Sequence, residues 1–563
     1  MESLRELKPG MVWSYFEKIC KIPRPSRKEE KIGAWLMEFA REHQLEARQD
    51  EAGNILIIKP ATAGKEQVPT VVLQSHMDMV CVKKLFLLLV TGFILQAGII
   101  CAQGYNIKVN IPHLSNKKVI LANYFEGKVY SADTAQLDAN GYGAFRKPNK
   151  KLARGMYLLL FSPSNYFDLI IGDNQNFSIQ SDTINVLESI RFTGSPENTA
   201  FLEFQKFMTR QNQKTKQLSD ALQKEPDKNS PEVKQKYTNL FNQADREVRN
   251  YIADICKQYP GSAFATFANF TLSPSIPDFS KEVPAGTKDR DMEIRKKAYF
   301  YNKAHYWDYT NFKDSTLIRT PIFKSKLDDY FNNMILMHPD TVFKESVNII
   351  EKSKSCKAMF RYLVSYCFNF SLESKIMGMD AAFVYLSKKY YLTGQANWID
   401  KETREKIERE VILTQYNLIG MKAQELKLPT IDGEWVSLYE TEAPFTLLLF
   451  WEADCGHCKK QVPLVKSTLL DKFKPYGFKV FAVHTQNDKD KWEKFVTEHE
   501  LFDFVNCWDP QNQTNFRVYY HIESTPMLYL LDKNKKIIAK KLDIEQLADM
   551  LTREYKNMGI EIK

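Results

Sequence analysis

The chain has 563 residues, 44% of them hydrophobic and 26% charged, a globular composition and a length that implies several domains. Its net charge of +9 is spread over lysines on solvated faces, with no dense basic block, which argues against nucleic-acid binding. Among nine cysteines (Cys20, Cys81, Cys101, Cys256, Cys356, Cys367, Cys455, Cys458 and Cys507), only 455/458 have a telling spacing. Cys356 and Cys367 could pair in an oxidising compartment, but buried free thiols are the simpler reading.

Residues 1–81 read as a different protein from the rest of the chain. Ser26-Arg27-Lys28-Glu29 has the form of a capping box, and a helical pattern runs from it to about Leu45. Asn54-Ile55-Leu56-Ile57-Ile58 and Thr70-Val71-Val72-Leu73 read as strands, the second leading into Gln74-Ser75-His76-Met77-Asp78-Met79-Val80. A His-x-Asp after a buried strand suits a metal-ligating imidazole oriented by a carboxylate. With Ile22-Pro23-Arg24-Pro25-Ser26 and Asp50-Glu51-Ala52-Gly53-Asn54, the stretch resembles the start of aminoacyl-histidine dipeptidases, which are zinc-dependent exopeptidases. The resemblance implies that His76 binds zinc with Asp78 behind it. It stops at Cys81, and the further ligands and general base of that family are not found beyond it. One histidine cannot hold a catalytic zinc. Residues 1–81 are expected to be a truncated zinc-dipeptidase-like fragment, with His76 and Asp78 a remnant metal-site motif and no metal in the working protein unless the fragment were completed.

Val82-Lys83-Lys84 is followed by an apolar run, Leu85 to Ala102, that carries a single Gln96 and ends among small residues. A basic start, an apolar middle and a small-residue end are the anatomy of a secretory signal peptide. The run is short for a membrane span. Residues 82–103 are therefore expected to be an internal signal peptide, or a membrane anchor through 85–102, that places residues 104–563 in the periplasm or cell envelope.

From Tyr105 to about Asp182 the pattern has period two: Ile107/Val109/Ile111, Val119-Ile120-Leu121, Met156 to Phe161 and Phe167 to Ile171. It predicts a small antiparallel β domain over 104–190, of sandwich type. Asp138-Ala139-Asn140-Gly141-Tyr142-Gly143 is superficially similar to a later dipeptidase motif but reads better as a hairpin turn. A helical domain is expected over 195–416, where Ser195-Pro196 and Ser230-Pro231 are helix-start signals. Tyr299, Phe300, Tyr301 and Trp307 are expected in its core.

The last region, 418–563, alternates strands and helices. Strands are expected at Phe445-Thr446-Leu447-Leu448-Leu449, at Phe478 to Val483, at Pro526 to Leu531 and at Lys536-Ile537-Ile538-Ala539. Helices are expected from Asp488 to Glu500 and from Asp543 to Tyr555. Between the first strand and a helix lies Phe450-Trp451-Glu452-Ala453-Asp454-Cys455-Gly456-His457-Cys458. Two cysteines at a strand-to-helix junction can open and close a disulfide, and the helix N-terminus favours a thiolate on Cys455. A zinc half-site would need a second ligand pair that the chain lacks. A purely structural disulfide would close too short a loop to remove much chain entropy.

This segment, with Ser524-Thr525-Pro526, resembles the thioredoxin superfamily over roughly Leu418 to Lys563. The resemblance implies a multidomain α+β protein ending in a thioredoxin-like α/β domain. It implies that Cys455 is the nucleophile and Cys458 the resolving thiol, and that the Thr525–Pro526 bond is cis and shapes the substrate groove. Trp451 is expected at the rim of that groove. Gly456-His457 is the dipeptide of protein disulfide isomerase domains; His457 either supports the thiolate or is an exposed helix-start residue without a role. Asp454 stands where many relatives carry an aromatic residue, and a carboxylate beside Cys455 opposes the thiolate. The order of β, helical and thioredoxin-like domains resembles envelope oxidoreductases of Gram-negative bacteria. The expected activity is thiol–disulfide exchange with protein disulfide or dithiol substrates, with an envelope redox partner and no cofactor beyond the Cys455–Cys458 disulfide. The rivals are a metallopeptidase built on 1–81 and a binding protein whose redox domain is degenerate.

Overall fold

The computed structural model describes residues 9–20, 22, 29–51, 53–66, 68, 70–73, 75, 77, 104–162 and 165–562. The chain divides into two compact units, Met1–Ile99 and Ile100–Lys563. Residues 82–103, His76, Asp78 and the Ser26-Arg27-Lys28 part of the expected capping box lie outside the described residues. Among the described residues, no helix is long and apolar enough to cross a membrane.

The first unit holds helices α1 (Gly10–Cys20) and α2 (Glu30–Glu42) and the hairpin of β1 (Glu46–Gln49) with β2 (Ile55–Ile58). Asp50 closes the hairpin by accepting from the Asn54 backbone N–H at 2.8 Å, and Gly53 takes the left-handed φ of 89° there. The expected strand at 70–73 does not form. Val71, Val72 and Leu73 are irregular and 80%, 79% and 92% exposed. An apolar run becomes a strand only when neighbours take its backbone groups and cover its face, and among the described residues this unit supplies only the two-stranded hairpin.

The second unit opens with eight strands, β3 (Tyr105–Asn110), β4 (Lys118–Phe125), β5 (Lys128–Gln136), β6 (Tyr142–Lys147), β7 (Gly155–Ser162), β8 (Asn165–Ile171), β9 (Asn176–Gln180) and β10 (Arg191–Thr193), with a short helix α3 (Val186–Ser189) before the last. They form two sheets, ordered β10-β9-β3-β6 and β5-β4-β7-β8. Inward residues of both, among them Ile107, Val109, Leu121, Leu159, Leu169 and Ile179, make one core. Every pair is antiparallel except β3 with β9. The turn at 138–141 forms, with the Asp138 carboxylate accepting from the Asn140 and Tyr142 N–H groups at 2.8 and 2.9 Å. It is not a hairpin between paired strands, because β5 and β6 lie in different sheets.

The helical region comprises α4 (Pro196–Lys224), α5 (Pro231–Gln258), α6 (Ala263–Phe270), α7 (Arg290–His305), α8 (Pro321–Asp329), α9 (Pro339–Lys352), α10 (Lys357–Leu372), α11 (Asp380–Leu386) and α12 (Lys401–Thr414). Ser195 and Ser230 cap α4 and α5, accepting from the Asn198 and Val233 N–H groups, each with proline in the first turn. Asn198 is buried and trades two hydrogen bonds of 2.8 Å with the backbone of Ile170 on the edge strand β8, which joins the helices to the sandwich. Trp307 lies in the helical core as expected. Tyr299 and Phe300 do not: they are 40% and 56% exposed, because α7 buries no residue at all.

The last region begins with the small hairpin β11 (Lys427–Pro429) and β12 (Trp435–Ser437), then builds a five-stranded sheet from β13 (Phe445–Trp451), β14 (Lys479–His484), β15 (Val505–Trp508), β16 (Met527–Asp532) and β17 (Ile537–Lys540), ordered β15-β14-β13-β16-β17. The first three strands run parallel, and β16 and β17 are antiparallel to their neighbours. Every residue of β13 is buried: Leu447, Leu449 and Trp451 enter one core, Leu448 and Phe450 the other. A central strand covered on both faces is apolar throughout. The helices are α13 (Gly456–Leu464), α14 (Asp471–Phe473), α15 (Lys489–Glu498), α16 (Phe516–Tyr519) and α17 (Ile544–Asn557). Asp543 and Gln546 start α17 with a reciprocal capping box.

Candidate redox site

Where β13 ends at the edge of the core, the chain turns through Glu452–Asp454 into α13. Cys455 is the residue that caps this helix, with extended backbone (φ −70°, ψ 122°). Its Sγ accepts from the Cys458 backbone N–H at 3.4 Å, so the thiol occupies the place an aspartate or serine oxygen takes at other helix starts. Cys455 is partly exposed, whereas Cys458, one turn on, is fully buried. Both are free thiols.

The two sulfurs are tuned apart. Burial opposes the Cys455 thiolate, but the backbone N–H and the side chain of Cys458, the side chain of Thr525 and the His457 backbone N–H outweigh it, and the thiol lies below its ordinary value. Burial pushes Cys458 up to about 12. The outer sulfur is therefore the more readily ionised of the two.

The Thr525–Pro526 bond is cis. Thr525 stands across from the helix start, its carbonyl oxygen 3.3 Å from Cys455 Sγ. Cys455, Cys458, Gly456, His457, Thr525 and Pro526 thus lie around one helix start and the loop that faces it. Gly456 and His457 are exposed there. The contact of His457 to Cys455 is made by its backbone N–H, a group any residue but proline supplies. A Cβ on Gly456 would meet nothing within 4 Å, so this position is open space.

Trp451 is not at a rim. It is 0% exposed, packed between the His484 ring at 5.3 Å and the Phe495 ring at 4.8 Å. The alternation of β13 sends it to the same face as Leu447 and Leu449, into the core beneath α15. Asp454 is also placed differently from the expectation. Its carboxylate pairs with Lys491 Nζ at 2.8 Å, and it is not among the groups that move the Cys455 thiol.

His484, at the end of β14, had no signal in the sequence beyond being a histidine after an apolar run. It is 1% exposed and stacked on Trp492 at 5.6 Å. Its Nε2 accepts from the Ala453 N–H at 3.4 Å and its Nδ1–H donates to the Gln486 carbonyl at 3.0 Å. Those two roles require the neutral ring, and burial lowers its pKa accordingly. Thr485 and Gln486 donate to the Glu452 carboxylate at 2.9 and 3.3 Å. The turn before Cys455 is thus held from the neighbouring strand.

Residues 419–540 match the AhpC/TSA family, residues 221–417 a domain of unknown function (DUF5106), and residues 105–201 a second one (DUF4369). The chain is 25% identical over 122 residues to the thiol-disulfide oxidoreductase ResA of a Bacillus cereus strain, covering 22% of this chain and 68% of that protein. A solved domain of a possible thiol-disulfide isomerase from Cytophaga hutchinsonii ATCC 33406 is 35% identical, with a TM-score of 0.24, over 25% of this chain and 96% of that one. An 80-residue stretch is 48% identical to the cytosol non-specific dipeptidase of Escherichia coli (strain K12), and spans 14% of this chain but only 16% of the dipeptidase. The C-terminal domain is thioredoxin-like and similar to proteins named thiol–disulfide oxidoreductases, and the chain also carries a short dipeptidase-like segment.

Proposed function

We propose that this protein exchanges disulfides with protein substrates in the bacterial cell envelope through Cys455 and Cys458. The observation that carries the reading is the asymmetry of the two thiols: Cys455 is partly exposed at a helix start that lowers its pKa, and Cys458 is buried with its pKa raised. In the reducing direction the Cys455 thiolate attacks one sulfur of a substrate disulfide. The substrate S–S bond breaks, an S–S bond to Cys455 forms, and the other substrate sulfur leaves as a thiolate. Cys458 then gives up its proton, to that thiolate or to water, and attacks Cys455 Sγ. The second substrate sulfur leaves, and two electrons have passed from the pair to the substrate. The same steps reversed oxidise a dithiol. The Cys455–Cys458 disulfide is the only redox group this route needs.

Thr525 and Pro526, opposite Cys455, line the place where a substrate chain would lie, with Gly456 and His457 on the other side. The envelope assignment draws on the signal-like run at 82–103, and the proposed redox partner would meet the same pair. The zinc-dipeptidase alternative is not favoured, since the matching stretch corresponds to 16% of that enzyme.

The test is reduction of a disulfide-bonded protein by the intact protein and two variants. Cys455→Ser is expected to abolish turnover. Cys458→Ser is expected to stall as a covalent complex with the substrate, visible on a non-reducing gel and released by dithiothreitol. Full turnover by Cys455→Ser would overturn the proposal.

A further inference from the structure

The loop that carries Thr525 to Cys455 is held from outside its own domain. Glu523, two residues before Thr525, pairs with Arg409 of α12 at 2.8 Å. His521, two residues earlier, is 8% exposed and adopts a left-handed φ of 49°, a conformation non-glycine residues keep only when their surroundings impose it. Those surroundings come from both domains. His521 Nε2 lies 3.7 Å from the Glu410 carboxylate of α12 and 3.6 Å from that of Glu523, and its Nδ1 is 3.4 Å from the Thr414 hydroxyl of α12. The junction beneath is also built from buried polar groups. Asn417 is 1% exposed and donates to the Tyr519 carbonyl at 3.0 Å, while Lys540 donates to its carbonyl and side-chain oxygens at 2.8 and 2.9 Å. Lys540 also pairs with Asp380 of α11. Such groups tolerate little displacement, because each lost partner leaves a buried polar atom unsatisfied. The helical region therefore meets the redox domain at a defined position, and it does so on the segment that faces Cys455.

We propose that the helical region is a working part of the redox centre: α12, through Arg409, Glu410 and Thr414, holds the His521–Glu523 turn and so sets where Thr525 stands against Cys455. These are positioning residues, since none touches either sulfur. Residues 521 to 525 span four peptide steps of about 3.8 Å each, short enough for the anchored turn to fix the position of Thr525. This inference rests on the exchange reading above for its biological meaning, but its test does not.

The full chain, reduced, is alkylated with iodoacetamide across a pH series, and modification of Cys455 is followed by mass spectrometry. The Arg409→Ala/Glu410→Gln double variant is compared with the parent and with Lys406→Ala, which lies on the same helix but pairs with Glu402 at 2.9 Å. Releasing the turn withdraws the Thr525 side-chain hydrogen bond, which favours the thiolate. The expected result is a midpoint shifted to higher pH and labelling at pH 7 slowed about threefold, with Lys406→Ala unchanged. An unchanged profile in the double variant, or an equal change in Lys406→Ala, would overturn the proposal. Circular dichroism and melting temperature accompany each variant. Should the double variant melt early, Arg409→Ala and Glu410→Gln are read singly against the same two outcomes. A parent protein that labels normally but exchanges no disulfide would defeat the exchange reading and leave this comparison standing.

Discussion

Cys455 and Cys458 are chemically the same residue, and three positions of chain separate them into two different acids. The outer thiol meets the N–H groups of the helix start and Thr525, and the inner one is enclosed by the core. Of the two, alkylation of the reduced protein is therefore expected to modify Cys455 and not Cys458 at neutral pH. Its rate should rise with pH through a midpoint below that of an ordinary thiol and level off above it, because the thiolate is the nucleophile. Cys458 should remain unlabelled until the pH approaches about 12; equal labelling of both at pH 7 would contradict the assignment. Trp451 makes the opposite kind of prediction. As a buried core residue rather than a groove residue, its replacement in Trp451→Ala should cost about 3–5 kcal/mol of stability in denaturant unfolding. At the residue scale the cysteine motif could be read from the sequence, since its spacing and its strand-to-helix setting are local. The surroundings of Trp451, the Asp454–Lys491 pair and the part played by His484 could not. Each depends on which strand or helix lies alongside, tens of positions away along the chain.

At the scale of elements, helix starts were the most legible features. Ser195-Pro196, Ser230-Pro231 and Asp543 each begin a helix where a cap residue meets a helical pattern, because a cap satisfies backbone groups within its own first turn. Four strands of the redox domain, β13, β14, β16 and β17, were equally plain as apolar runs, whereas the short β11, β12 and β15 were not expected. The failures were elements whose status depends on a neighbour. Thr70–Leu73 is as apolar as a strand but is irregular and exposed, and α7 carries aromatic residues that no other element fully covers. The contact of α11 and α12 with the redox domain had no sequence signal either. Lys540 is pushed down by burial and partly sustained by Asp380, so this buried pair can be tested directly. Asp380→Ala is expected to destabilise the second unit by about 3 kcal/mol, since it leaves a buried ammonium without its counter-charge. Thermal unfolding of the variant measures this; a shift no larger than that of a surface substitution would show that the junction does not depend on the pair.

At the scale of the whole molecule, the division into two compact units separates the dipeptidase-like stretch from everything that builds the redox site. A protein beginning at Gly104 is expected to fold and to match the full chain in melting temperature and in the rate of Cys455 alkylation. A large loss of either would mean that the first unit contributes to the second. The sequence alone determined that this is a multidomain chain ending in a thioredoxin-like domain, that Cys455 and Cys458 form its candidate reactive pair, and that a short stretch of it resembles a dipeptidase. Those conclusions rest on short-range patterns: a cysteine spacing, apolar periodicity and a helix cap. Only the tertiary structure decided which thiol is buried, that Trp451 is core, that Asp454 turns to Lys491, and that α12 reaches the loop facing Cys455. The physical reason is that burial and charge pairing are properties of groups brought together across long stretches of chain, and each acts on the thiols only after the fold has assembled them.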